Sequence, residues 1–545
     1  MRCILNDLRR GIINRAFLVA VLLQILLLYF GGREDWPYYA GLDGFYLFAA
    51  SRELSVTHLY FPIIVCLPFA LSFASDMRQG FIFSELHRSG RARYITARIM
   101  ANTIAGALAV GLGTAIYALA CILLSQPSSY RVEVWRTYAD GNWLEPFLRT
   151  NYGRPYMLLC IILDMMGGAV WATVCLALST IYPNPIFSLL GTQIIYLAFV
   201  RIPPFSTLIN PIPLIRPTFF NSALTLKGII ARQLFCYMVF LGMSIWGLYK
   251  ALKNIAVYNK GLLQVFSPFW VRSRKGKATS SNWLSRCFGG MLHPTFLLVA
   301  GCLILIRPFV FRVEKGSMAM SLLSLIGGIP YQDIPSVGDI AAWMLLLMPC
   351  LLGVGLQLQQ EFTGRMYFTL YRYRSGAKWF LSVFRSNAIV CIGYGMFQAL
   401  WIIIWCYINR IGGWDAWGYD FSGTWINAQG VWPWVVPMLC IHLVLIAVVQ
   451  MVIHIASGSG IAAIGGALLV WISTVWFGST PSAISSFLPG NIGMVLRSSN
   501  YGSLYGSPAL QFLTQIVLTI ILVYTGSIIS QKMQNCLHMK VRNVK

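Results

Sequence analysis

Of the 545 residues, 57% are hydrophobic and only 11% charged, and 41 Lys and Arg against 17 Asp and Glu leave a net charge of +24. A soluble domain carries about 25% charged residues, so a chain with a mean hydropathy of +0.67 is excluded from that class and belongs in lipid. Long apolar runs, in place of alternating segments of about ten residues, exclude a β-barrel as well.

A helix that crosses the bilayer core needs about 20 apolar residues. Runs of that kind lie at 16–31, 57–75, 99–124, 155–181, 186–203 and 228–249, and again at 291–311, 339–357, 384–408, 432–456, 459–478 and 509–530. The expected fold is an all-α polytopic membrane protein of about twelve transmembrane helices. No small-residue cleavage site follows the first run, so it is expected to be a span and not a removed signal peptide. With the N-terminus inside, the segments left on the cytoplasmic side hold most of the Lys and Arg and few of the acids, which places both termini in the cytoplasm. The basic excess is then a feature of membrane topology, and no nucleic-acid partner is expected. Six spans return the chain to its starting side. Two parallel six-helix halves follow, 1–250 and 286–545, joined by a basic cytoplasmic linker at 251–285. The 13 cysteines are scattered, without a CxxC pair, and are expected to act as small apolar packing residues and not as disulfides or metal ligands.

Between the second and third span of each half stands an acid-led basic segment: "DMRQGFIFSELHRSGRARY" (76–94) and "EFTGRMYFTLYRYRSGAKWF" (361–380). Asp76 and Gly80 match Glu361 and Gly364; Arg88, Ser89 and Gly90 match Arg374, Ser375 and Gly376. A loop that only sets topology would also be basic. The shared order of acid, glycine, RSG and basic-aromatic exit goes further, and is expected where a two-fold protein docks two copies of a partner on its cytoplasmic face.

In these segments the sequence resembles the type-2 ABC exporter permeases. The resemblance implies that each half opens with an amphipathic surface helix, and that the loop between spans two and three forms a coupling helix seated in a groove of a nucleotide-binding subunit. "MRCILNDLRRGIINRAF" is similar to such a surface helix, with Ile4, Leu5, Leu8 and Ile12 on one face and Arg9, Arg10 and Arg15 elsewhere; "NWLSRCFGGMLHP" is a weaker second copy. The Pro-rich 201–217 and 479–491 resemble the family's half-inserted external hairpin before the last span. Family members often carry one six-span unit per chain and an acid pair before the glycine. This chain fuses two units and has one acid each time.

A phosphate-cradling GxxxxGK[ST] loop is missing, since "RKGKATS" lacks the first glycine and a preceding strand. The expected function is therefore a permease subunit, not an enzyme and without a cofactor of its own. Two copies of a separate ABC ATPase would supply ATP and magnesium, and the cargo would be an amphipathic peptide, drug or lipid. The expected location is the bacterial plasma membrane. The alternative is a secondary transporter of the major-facilitator kind, whose signature loop "DMRQG" also resembles but is much shorter. An integral-membrane enzyme would gather His, Asp or Glu at one depth, and here the candidates are sparse: Asp164 inside "LLCIILDMMGG" and His442 inside "MLCIHLVL", at nearly matching places of the two halves. As candidates for the translocation path they are polar contacts between the halves; as structural residues, Asp164 is neutral or locally hydrogen-bonded and His442 a neutral interhelical donor. The aromatic-dense 33–48 and 412–425 fit an interfacial belt, or a stacking surface for an exported lipid or glycan.

Overall fold

The structure is a computed structural model. It describes residues 2–32, 44–54, 57–79, 81–124, 153–201, 225–253, 294–310, 317–329, 337–362, 375–411, 417–419, 425–427, 432–477, 484–498 and 507–543, with a few isolated positions between. The chain divides into two compact units, Met1–Phe266 and Ser267–Lys545, and the division falls inside the linker expected at 251–285.

The first unit contains α1 (Arg2–Ile12), α2 (Arg15–Gly31), α3 (Gly44–Leu54), α4 (Thr57–Cys66), α5 (Ser72–Gln79), α6 (Phe81–Ser89), α7 (Arg91–Leu124), α8 (Arg154–Ile181), α9 (Pro185–Arg201) and α10 (Leu226–Lys253). The second contains α11 (Pro294–Val310), α12 (Met318–Ile326), α13 (Val337–Gln360), α14 (Gly376–Ile408), α15 (Trp432–Ser457), α16 (Gly460–Phe477) and α17 (Pro508–Asn543). Apart from a two-stranded antiparallel ribbon that pairs Trp417–Tyr419 with Trp425–Asn427, the regular structure among the described residues is helical.

Seven helices are long and apolar enough to cross a membrane: α7, α8, α10, α13, α14, α15 and α17. That makes the chain an integral membrane protein with an all-α body. The remaining apolar runs form helices too, but α2, α9 and α11 have 17 residues each, about 26 Å at 1.5 Å per residue, against about 30 Å of hydrocarbon. The run expected at 57–75 is broken: α4 stops at Cys66, turns occupy 67–71, and α5 starts at Ser72.

α3, which the sequence reading left in an outer loop, is a buried helix. Leu47, Phe48, Ala49 and Ser51 are fully enclosed. Phe45 meets Tyr156 edge-on at 5.7 Å, and Arg52 meets Asp164, so α3 runs alongside α8 in the same direction. Farther along, α4 takes the same side, and Gln193 of α9 donates to the Leu59 carbonyl at 2.7 Å.

α7 and α8 pack closely because Gly106 and Gly168 face each other: a Cβ at Gly168 would stand 2.8 Å from the Gly106 oxygen, the small-residue contact on which helix packing in lipid relies. In the second unit α15 holds the corresponding central place between α14 and α17. Tyr394 and Gln450 donate to the Leu346 and Leu351 carbonyls of α13, on either side of its Pro349. α10 and α17 leave Leu234, Phe235, Met238, Leu513, Ile520 and Ile521 uncovered within their units, as lipid-facing helices do. Trp414 packs against Trp432 at 4.8 Å, so part of the aromatic-dense segment covers the start of α15. Segment 201–217 lies outside the described residues, apart from isolated positions. Of 479–491, residues from 484 onward are described and include the short 3-10 turn Ser485–Phe487.

Candidate functional site

The acid-led segment of the first unit begins on α5, continues as α6 and ends at Gly90. Gly90 adopts φ +74, stops α6 with an N–H donated to the Leu86 carbonyl, and starts α7 with its own carbonyl. That left-handed conformation is one glycine adopts freely. One turn into α7, Tyr94 and Arg98 share a face because they are four residues apart.

Arg98 is completely buried and organises the site. Its Nη2 donates to Asp76 Oδ2 at 2.5 Å, to the Tyr94 hydroxyl at 2.9 Å and to Glu85 Oε2 at 3.4 Å, while Nη1 donates to Ser72 Oγ at 2.8 Å. The rings of Phe69 and Tyr94 lie 5.0 and 5.1 Å from the guanidinium carbon, adding cation–π attraction. Asp7 Oδ2 of α1 stands 3.9 Å from Arg98 Nε, within ionic range though too far for a hydrogen bond. Arg10 of α1 closes the outside, donating to Asp76 Oδ1 at 3.0 Å and to Glu85 Oε1 at 3.2 Å. Three carboxylates therefore surround two guanidiniums. Burial pushes the Asp7 and Glu85 carboxyls above the ordinary carboxylate range, and the neighbouring arginines only partly counter it.

Asp76 is thus an internal anchor and not a surface residue. What α6 exposes is Phe81, Ser84, His87 and Arg88, continued by Arg91 and Arg93 of α7. Its other face, Ile82 and Leu86, packs with Tyr94 against Leu248, Ala251 and Leu252 of α10. The segment presents a basic-aromatic surface outward and is fastened behind to α1, α7 and α10. Ser89 donates to the Glu85 carbonyl; Gly80 lies outside the described residues.

In the second unit the acid is held more lightly. Trp379 Nε1 reaches Glu361 Oε2 at 3.5 Å, and Phe362 sits between Trp379 and His454. The exit of the segment is fixed by amides. Gln531 of α17 accepts from Ser375 Oγ at 2.9 Å and from the Ala377 N–H, and Gln534 accepts from the Gly376 N–H at 2.5 Å. These glutamines satisfy donors at the start of α14 that no intrahelical carbonyl reaches. Gly364 and Arg374 lie outside the described residues.

The two glycines of the paired RSG motif consequently carry different loads. A Cβ at Gly376 would overlap the Ser530 backbone, whereas nothing approaches a Cβ at Gly90 within 4 Å. Gly376→Ala is expected to push α14 off α17, costing about 1 kcal/mol for each lost cap and more for the overlap. Gly90→Ala is expected to cost only the left-handed strain of about 1–2 kcal/mol. Thermal unfolding of the solubilised protein checks the order; an equal or larger loss for Gly90→Ala contradicts it.

Asp164 and His442 occupy the same step of their helices, ten residues past the first residue of α8 and of α15. Asp164 is ion-paired: Arg52 donates through Nη1 at 2.6 Å and Nη2 at 3.2 Å, and Thr114 adds a hydroxyl at 2.6 Å, with Gln24 donating to Thr114 in turn. His442 accepts at Nε2 from Trp471 Nε1 at 2.7 Å. Trp343 and the backbone of Gly493 pack against its ring. The structure places both side chains deep inside their own units, fully buried.

Sequence reasoning missed Arg98, Asp7 and Arg52, and placed Arg10 only on the basic side of the first helix. The available signals were an arginine at the very edge of an apolar run, an acid inside an otherwise basic first helix, and an arginine in the apolar stretch "GFYLFAASREL".

No family model, curated protein or solved structure matches the chain. The fastened, outward-facing α6 is the feature any functional reading has to explain.

Proposed function

We propose that this chain is the permease subunit of an ATP-driven exporter, resembling the type-2 ABC permeases. It would sit in a bacterial plasma membrane with both termini in the cytoplasm and move an amphipathic peptide, drug or lipid. Two copies of a separate ATPase would dock on the segments led by Asp76 and Glu361 and would bind the ATP and magnesium. The supporting observation is the construction of α6: an exposed Phe81 and basic residues in front, and behind them Arg98 joining the segment to α1 and to a long apolar helix. A docking helix so fastened transmits a push as a rigid-body displacement, where a loop that merely sets topology has no need of a buried arginine.

The competing reading, a secondary transporter, draws on the intramembrane Arg52–Asp164 pair, a type of pair that also occurs in proton-coupled carriers. Affinity purification from the native host separates the two. An ATPase is expected to accompany the chain in near-stoichiometric amount, and transport is expected to require it. Transport that proceeds without an ATPase and collapses with the proton gradient overturns the exporter reading.

A further inference from the structure

The first acid-led segment is tied to α1 by titratable groups, and the second is tied to α17 by neutral amides. We infer that α1 is a proton-sensitive latch on the first segment alone, closed by proton uptake at Asp7 and Glu85 and released as those two carboxylates ionise. Its effect on export rests on the exporter reading; the latch itself does not.

The geometry supports this in three ways. First, among the described side chains the cluster holds one more carboxylate than guanidinium. Asp7 and Arg10 come from α1, Asp76 from α5, Glu85 from α6, and Arg98 with the Tyr94 hydroxyl from α7. Lys250 and Lys253 of α10 are exposed, the former lying over Trp246. α8 and α9 also pack on α5; of the described charges on them, Asp164 pairs with Arg52 and Arg154 is the first residue of α8. A fully ionised cluster is therefore left with an excess negative charge inside a largely buried site. Second, the inner and outer bonds differ. Arg98–Asp76 is enclosed, but Arg10 is half-exposed and is the α1 side chain that hydrogen-bonds to the segment. α1 is set at 50° to α2 and rests on α7 and Phe69 through Leu8 and Gly11; the Arg98–Asp76 bond does not involve α1, so its release leaves that inner bond in place. Third, Asp7 Oδ2 accepts no hydrogen bond among the described residues, which leaves its charge poorly compensated.

The sign follows from linkage. Asp7 and Glu85 hold their protons more tightly with α1 docked than they would free in water. The docked state is favoured as pH falls toward the ordinary carboxylate range, and is lost as pH rises through the raised values.

Hydrogen–deuterium exchange of the full chain in lipid nanodiscs, corrected for the intrinsic pH dependence of exchange, tests this between about pH 5 and about pH 8. Protection of residues 4–12 is expected to fall severalfold toward the alkaline end, while that of 376–390 stays level. In Asp7→Asn/Glu85→Gln, residues 4–12 should keep their acid-side protection throughout. In Arg10→Gln, they should be weakly protected at every pH. Level protection of 4–12 in the natural chain, or a pH dependence that survives Asp7→Asn/Glu85→Gln, overturns the latch. If the exchange behaves as expected and no ATPase accompanies the chain, the exporter reading fails and the latch stands.

Discussion

Replacing Arg98 with methionine is expected to destabilise the first unit by about 3–5 kcal/mol, the usual result of removing one partner from a buried charge pair. Methionine fills much of the space, so the loss is electrostatic. Asp76 loses its 2.5 Å partner, Asp7 its nearest buried guanidinium, and Arg10 alone faces three carboxylates. Arg98→Lys is expected to fall in between, since one ammonium cannot address Asp76, Glu85, Tyr94 and Ser72 from the directions a planar guanidinium does. The deficit should shrink in acid, because protonated carboxyls no longer need the missing charge. Thermal unfolding of the solubilised protein measures the first effect. Limited trypsin cleavage at the exposed Arg9 and Arg10 measures the freeing of α1. An Arg98→Met protein that melts like the natural one, with α1 equally resistant, would show that the cluster holds nothing together.

The second large effect is expected at Arg52 and Asp164. Asp164→Ala removes the carboxylate partner of a buried guanidinium, and breaking a buried charge pair from one side costs about 3–5 kcal/mol. Arg52→Met/Asp164→Leu removes both charges and is expected to recover most of that stability, as replacement of buried pairs by apolar residues often does. Thr114 then loses an acceptor, so a residue of about 1 kcal/mol is expected to remain. Unfolding of the two singles and the double gives the coupling energy. Transport by the double variant separates the roles: a protein that folds and transports shows the pair to be a brace that seats α3 beside α8, and one that folds without transporting places the pair on the path of the cargo. Singles no less stable than the double would contradict the pairing.

Much of the body was legible because lipid simplifies the reading. Where an apolar run is long and uninterrupted, as at 155–181 or 432–456, backbone hydrogen bonds must close within the segment, and helix is the only outcome; α8 and α15 are those helices. The glycine of the first RSG motif was legible for a similar local reason, since φ +74 is a property of one residue. The weaker places were the interrupted ones. "GFYLFAASREL" is too short and too polar at its end to stand out as a crossing. It becomes buried helix α3 through distant partners: Phe45, Leu47 and Phe48 join an apolar cluster with Tyr156 and Leu163, and Arg52 meets Asp164, 112 positions away.

By itself, then, the sequence determined the helical class, the paired acid-led segments, and the presence of Asp164 and His442 inside two long apolar runs. These follow from local composition, because the bilayer acts on each residue separately. The tertiary structure decided which charges meet. Asp76 is an anchor because Arg98 lies 22 positions ahead and Arg10 lies 66 behind. Asp164 is an ion pair and His442 a Trp471 acceptor for the same reason. Which donor reaches a buried acceptor depends on which helices are neighbours and at what depth, and that is settled by packing among all of them together, in close contacts such as Gly106 against Gly168.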